Sequence, residues 1–81
     1  MTEKRHELEI KRDILLNILK SRGIKQTPLM YKANLQYKTL SPRIKDYILK
    51  GWIKRKSNLI VITNEGIDYL LNLHCMIQKF A

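Results

Sequence analysis

Apolar residues recur at helical spacing through most of the chain and give way once, in its second half, to a β-branched run. Between residues 3 and 21, Ile10, Ile14, Leu15, Ile18 and Leu19 step by three and four, while Glu9, Lys11, Arg12, Asp13 and Lys20 lie mostly off that line. This spacing predicts an amphipathic helix over 3–21. Thr2 ahead of Glu3 and Lys4 offers a start, and Gly23 behind Ser21-Arg22 offers a stop. A short second helix is predicted over 27–34, with Thr27 as N-cap, Pro28 at the first helical position and Asn34 or Leu35 at the end. A third helix is predicted over 37–50, with Leu40, Ile44, Tyr47 and Ile48 on one face and Gly51 closing it. Pro42 falls beyond its first turn and removes a backbone donor. A late start with Thr39 as N-cap, or a slight kink, would accommodate it.

The stretch WIKRKSNLIVIT predicts a hairpin over 52–62. Trp52 and Ile53 begin a strand, Lys56-Ser57-Asn58 turns, and Leu59 to Ile62 return. Thr63 then caps a last helix over 64–80. The order is helix, helix, helix, hairpin, helix, all within a single mainly helical domain spanning 1–81. Two helices joined by a turn of three or four residues, the second of them basic, fit a helix-turn-helix.

Composition bounds the rest. An 81-residue chain that is 44% hydrophobic folds, but near the lower size limit for a core without staples. A lone cysteine, Cys75, makes no intrachain disulfide and points to a reducing compartment. No apolar run reaches the ~20 residues that span a bilayer, and the mixed charges of MTEKRHELEIKRD do not make a signal peptide. These features predict a soluble cytoplasmic protein.

The net charge of +9 is unevenly placed. Residues 1–22 carry six basic and four acidic side chains, residues 63–81 carry one and two, and residues 23–62 carry nine basic residues against Asp46 alone. A one-signed surface attracts anions, and a polyphosphate backbone is the commonest large one. At ~100° per residue, Leu40, Ile44 and Tyr47 of the third helix point inward, and Lys38, Pro42, Lys45 and Leu49 point nearly opposite. Thr39, Ser41 and Asp46 flank that outer face. Cations with small hydroxyls between them suit a helix laid in the major groove of double-stranded DNA. The tip Lys54-Arg55-Lys56-Ser57-Asn58 suits contact with flanking phosphate or the minor groove.

TPLMYKANLQYKTLSPRIKDYILKGWI followed by ITNEGIDYL resembles the archaeal winged-helix DNA-binding family. Its members run approximately Thr-Lys-Ile-Met-Tyr-Lys-Ala-Asn-Leu-Ser-Tyr-Lys, then a helix, then Lys-Gly-Leu-Ile and Ile-Thr-Glu-Lys-Gly. The likeness covers about residues 10–73 and is most specific at Met30-Tyr31-Lys32-Ala33-Asn34-Leu35. Gln36, Pro42 and Trp52 depart from the family pattern. The resemblance implies a winged helix-turn-helix, a homodimer whose C-terminal helices pair, and a transcriptional regulator or a small chromatin-associated protein of the nucleoid. It puts Tyr37, Lys38, Ser41 and Lys45 on the recognition helix and Lys54 to Asn58 on the wing. The full set of expected DNA contacts is Thr27, Gln36, Tyr37, Lys38, Thr39, Ser41, Pro42, Arg43, Lys45, Lys54, Arg55, Lys56, Ser57 and Asn58.

On the last helix, Ile67, Leu70, Leu71, His74 and Ile77 form one apolar stripe, and Tyr69, Leu73, Met76 and Phe80 form a second about 130° away. The combined arc is wider than a single docked face needs, and the second stripe steps like a heptad seam. The first stripe is expected on the domain. Tyr69, Leu73, Met76, Ile77 and Phe80 are expected at a dimer interface. No cofactor, metal or small-molecule ligand is expected: His6 and His74 lie in different helices without a second cysteine near, Cys75 lacks a base partner, and no glycine-rich phosphate loop exists. Nothing looks catalytic. The expected function is therefore regulation of transcription. The rival readings are a chromatin protein of low sequence preference and a winged helix that binds protein through its last helix.

Overall fold

The computed structural model describes residues 7–80, side chains excepted at 74 and 76–80. The expected helix start at Thr2 and the residue His6 lie outside the described residues. Six elements follow one another: α1 (Glu7–Ser21), α2 (Gln26–Ala33), α3 (Tyr37–Leu49), β1 (Ile53–Lys56), β2 (Leu59–Ile62) and α4 (Asn64–Phe80). This is the predicted order, mainly helical with one antiparallel hairpin.

Ile14, Leu15 and Ile18 of α1 are fully buried, and the helix stops where Arg22 and Gly23 take positive φ (56° and 119°). Ile24, directly after, makes a bridge the sequence did not announce. Its N–H donates to the Ile60 carbonyl at 3.0 Å, and its carbonyl accepts from the Ile60 N–H at 2.8 Å. One residue thus adds a third strand position to the hairpin.

That bridge corrects the start of α2. Lys25, not Thr27, is the N-cap, already extended at φ −76° and ψ 159°. With Ile24 pinned to β2, the chain enters the helix at once, and Leu29 N–H bonds the Lys25 carbonyl at 3.1 Å. Thr27 becomes the second helical residue and Pro28 the third, where no intrahelical donor is required. Asn34 then takes the left-handed conformation (φ 57°, ψ 49°), its N–H bonding Tyr31 while that of Leu35 bonds Met30. Asn is one of the few side chains that tolerates this geometry.

The helix begins at Tyr37 as expected, so of the two ways to accommodate Pro42 the late start from Thr39 does not occur. Gln36 is its N-cap, and Thr39 and Leu40 N–H groups both bond the Gln36 carbonyl, at 3.0 and 2.9 Å. Leu40, Ile44 and Tyr47 are buried on one line. Pro42 sits inside the helix, exposed, and the Lys38 carbonyl forgoes its i+4 donor. Gly51 ends the helix with φ 82° in open space, so its glycine is required by conformation alone.

Trp52 precedes β1 rather than opening it, and Lys56 pairs with Leu59, which leaves Ser57-Asn58 as a two-residue turn. Ser57 adopts φ 57°, an uncommon conformation for a residue with a Cβ. At the base of the hairpin the Thr63 N–H donates to the Trp52 carbonyl at 2.9 Å. The Thr63 hydroxyl donates to the Gly51 carbonyl at 2.5 Å, with that of Trp52 at 3.0 Å, and accepts the Gly66 N–H at 3.0 Å. Thr63 is thus the N-cap of α4 and the link from α4 to the end of α3. Gly66 is buried there, and a Cβ on it would stand 2.0 Å from the Trp52 carbonyl oxygen.

Twelve residues from all six elements and from Ile24 form one core: Ile14, Leu15, Ile18, Ile24, Leu29, Ala33, Leu40, Ile44, Tyr47, Ile53, Ile60 and Leu70. Among the described residues no charged side chain is buried.

Gly66→Ala should lower stability by about 3 kcal/mol, because the obstacle is backbone and cannot rotate away. Ser57→Gly should raise it by about 0.5 kcal/mol, the left-handed penalty relieved exceeding the added chain entropy. Urea unfolding followed by Trp52 fluorescence checks both; an unchanged midpoint for Gly66→Ala would contradict the packing described.

Candidate nucleic-acid interface

The face of α3 opposite the core carries Lys38, Pro42, Lys45 and Leu49, all exposed, with Leu49 at 85%. Tyr37 stands at the helix start, 61% exposed, next to the exposed Gln36. Thr39 and Ser41 are half-buried on the flank. Neither α2 nor α3 has a side-chain cap on its first turn, so their leading N–H groups and the positive ends of their dipoles add to the lysines. Thr27 lies exposed in the first turn of α2, on a different helix from the lysine line.

Asp46 is the only acid between residues 23 and 62. Its carboxylate receives the Lys50 ammonium at 3.2 Å, one helical turn on, which offsets its charge beside the lysine line. Lys50 also stands 4.9 Å from the centre of the Trp52 ring.

Arg43 does not stand free for a groove contact. It turns toward α1 and forms a two-pronged ion pair with Glu7, one contact at 3.0 Å. Hydrogen bonding to Glu7 holds the guanidinium pKa well above its already high ordinary value. The chain separation of this pair, 36 residues, hides it from any local reading of the sequence.

On the wing, Lys54, Arg55, Lys56, Ser57 and Asn58 are all exposed. Lys54 faces Val61 and Lys56 faces Leu59 across the ladder, so these two lysines share one surface of the ribbon. Arg55 lies opposite Ile60 on the other surface, beyond the buried Ile53. The tip therefore presents positive charge on both sides.

The last helix departs from expectation. Tyr69 stacks on Trp52 with ring centres 3.8 Å apart and planes 15° apart, and Leu73 is only 1% exposed. Both face the protomer's own interior. Leu71, expected inward, is 62% exposed, and Cys75 is exposed one turn further on. The cause is Trp52, whose ring also meets Tyr47 at 5.3 Å and offers α4 an aromatic face to pack against. The side chains of His74, Met76, Ile77 and Phe80 lie outside the described residues. No helix is long and apolar enough to cross a membrane, and no metal-holding cluster of His, Cys, Asp or Glu occurs among the described residues.

The family model described as winged helix-turn-helix matches residues 4–80. No curated protein matches the chain.

Tyr47, beneath this site, yields a pH prediction. Burial pushes its hydroxyl up to about 12 from 10.0, with Arg43 nearby pulling the other way. The folded state holds this proton more tightly than the unfolded, so the stabilisation is complete below pH 10.0 and disappears as pH rises toward 12. Stability should fall across that window with a slope reaching about 1.4 kcal/mol per pH unit from this group. Tyr47→Phe should flatten that component in urea titrations at stepped pH. The same slope in the variant would assign it to other groups.

Proposed function

Because the chain belongs to the winged helix-turn-helix family, we propose that it binds duplex DNA as a homodimer and acts as a transcriptional regulator. In this reading α3 lies in the major groove and the wing meets flanking phosphate. One observation carries it: the solvent face of α3 holds Lys38 and Lys45 while its opposite face fills the core, and the adjoining hairpin ends in three exposed cations. A helix so anchored has one face to offer, and that face is positive. Each phosphate neutralised steepens the fall of affinity with salt by about 0.9 in log–log slope.

The second copy is assigned to the part of α4 beyond Leu73, where the sequence puts Met76, Ile77 and Phe80. Tyr69 and Leu73 are already occupied within the protomer. Two heads on one dimer would bind half-sites spaced by whole helical turns. Sedimentation equilibrium over a range of protein concentration tests this, and a monomer at all of them would remove the dimer.

A second reading is favoured by the residue types. Four of the five outward cations on α3 and the wing are lysines, Lys38, Lys45, Lys54 and Lys56, with Arg55 the exception. Lysine reads charge better than base identity, as suits an architectural protein that coats DNA.

Competition binding at about 150 mM salt between random genomic fragments and the region upstream of the protein's own gene separates the readings. A preference of ~10³ or more for the upstream DNA is expected of a regulator. Tight binding without preference would leave the architectural role, and no binding even at low salt would end both. Lys38→Ala and Lys45→Ala should each weaken binding to any duplex and lower the salt slope by about one.

A further inference from the structure

The outward line of α3 alternates in character: Lys38, then Pro42, then Lys45, then Leu49. A single exposed apolar side chain is ordinary on a protein surface. Here two of them, Pro42 and the 85%-exposed Leu49, share one helix line with two cations, on the face turned from the core. Leu49 is the most exposed large hydrophobic side chain among those described. Salt links and stacking occupy the neighbouring polar groups, since Asp46 is held by Lys50, and Lys50 in turn lies over Trp52. No described residue covers Leu49, and Lys45 stands one turn before it.

A surface that is cationic and apolar in alternation matches a polyanion that bears methyl groups. In the major groove only thymine presents one, its 5-methyl, and apolar side chains are what contacts it. We propose that Pro42 and Leu49 read thymine 5-methyl groups in the major groove, while Lys38 and Lys45, which alternate with them along the helix, hold the backbone. Seven residues of helix separate the pair, about 10 Å along the axis. That is close to three base-pair steps at about 3.4 Å each. The inference rests on the DNA-binding reading above and adds the chemistry of the preferred site. It also gives Pro42 a reason to occupy a helix interior: a ring that presents carbon outward and offers no competing donor.

The test uses the full chain and one mixed-sequence duplex in two forms, with thymine and with deoxyuridine at every thymine position. Deoxyuridine keeps the pairing and lacks only the methyl. Fluorescence anisotropy should show about fourfold weaker binding to the uridine form for each methyl covered. Leu49→Ala should bind the thymine form more weakly and narrow the ratio between the two forms, and Leu49→Ala with Pro42→Ala should abolish it. Leu49 is exposed, so an unchanged Trp52 emission spectrum confirms that the variant is folded. Equal wild-type affinity for the two duplexes would overturn the inference while leaving DNA binding intact. A thymine preference that survives the double substitution would overturn the assignment to these residues. Failure to bind either duplex would overturn the DNA-binding reading itself.

Discussion

Everything in this fold hangs from the junction at Thr63. Its hydroxyl ties the end of α3, through Gly51 and Trp52, to the first turn of α4, through Gly66. A hairpin with strands of four residues is marginal by itself. Here its base is closed by Thr63 and Trp52, and its second strand is stitched to Ile24. Gly66 makes the closure geometrically possible, since any side chain there would collide with the Trp52 carbonyl. Fixing Trp52 in turn fixes the aromatic cluster in which it stacks on Tyr69 and meets Tyr47 at a tilt, and that cluster sets which face of α4 turns inward.

How much of this could be read from the sequence depended on distance along the chain. The order of elements was legible, because it rests on local periodicity and on stops such as Gly23, Asn34 and Gly51. So was the direction in which α3 presents Lys38 and Lys45, since a helix with a buried line of Leu40, Ile44 and Tyr47 has its opposite face determined. The cap at Thr63 could be found for the same reason. What failed were pairings between remote residues. Lys25 rather than Thr27 starts α2 because Ile24 is held by Ile60, which lies in the hairpin. The ion pair of Arg43 with Glu7 was equally out of reach, the two residues lying 36 positions apart. On α4 a helical wheel displayed two apolar stripes but could not know that Trp52 would claim Tyr69, leaving Leu71 outside.

The placement of acids matters as much as that of bases. Glu7 is engaged with Arg43 of α3, and Asp46 with Lys50 at its end. Both carboxylates are thereby matched to cations that do not lie on the Lys38–Lys45 line. The remaining field on that line and on the wing is of one sign, and a field of one sign raises the encounter rate with an opposite polyion well above that of a neutral surface.

The Ile24–Ile60 bridge has a mechanical meaning. It splices the hairpin to the residue just ahead of the α2 N-cap, while Thr63 splices the same hairpin to the end of α3. Helix-turn-helix and wing therefore behave as a single caliper with a set gap, two jaws on one frame. In the proposed DNA complex the duplex would do the adjusting to such a fixed gap, and its bending and groove-width energies, which vary with base step, would enter the affinity even where no side chain touches a base.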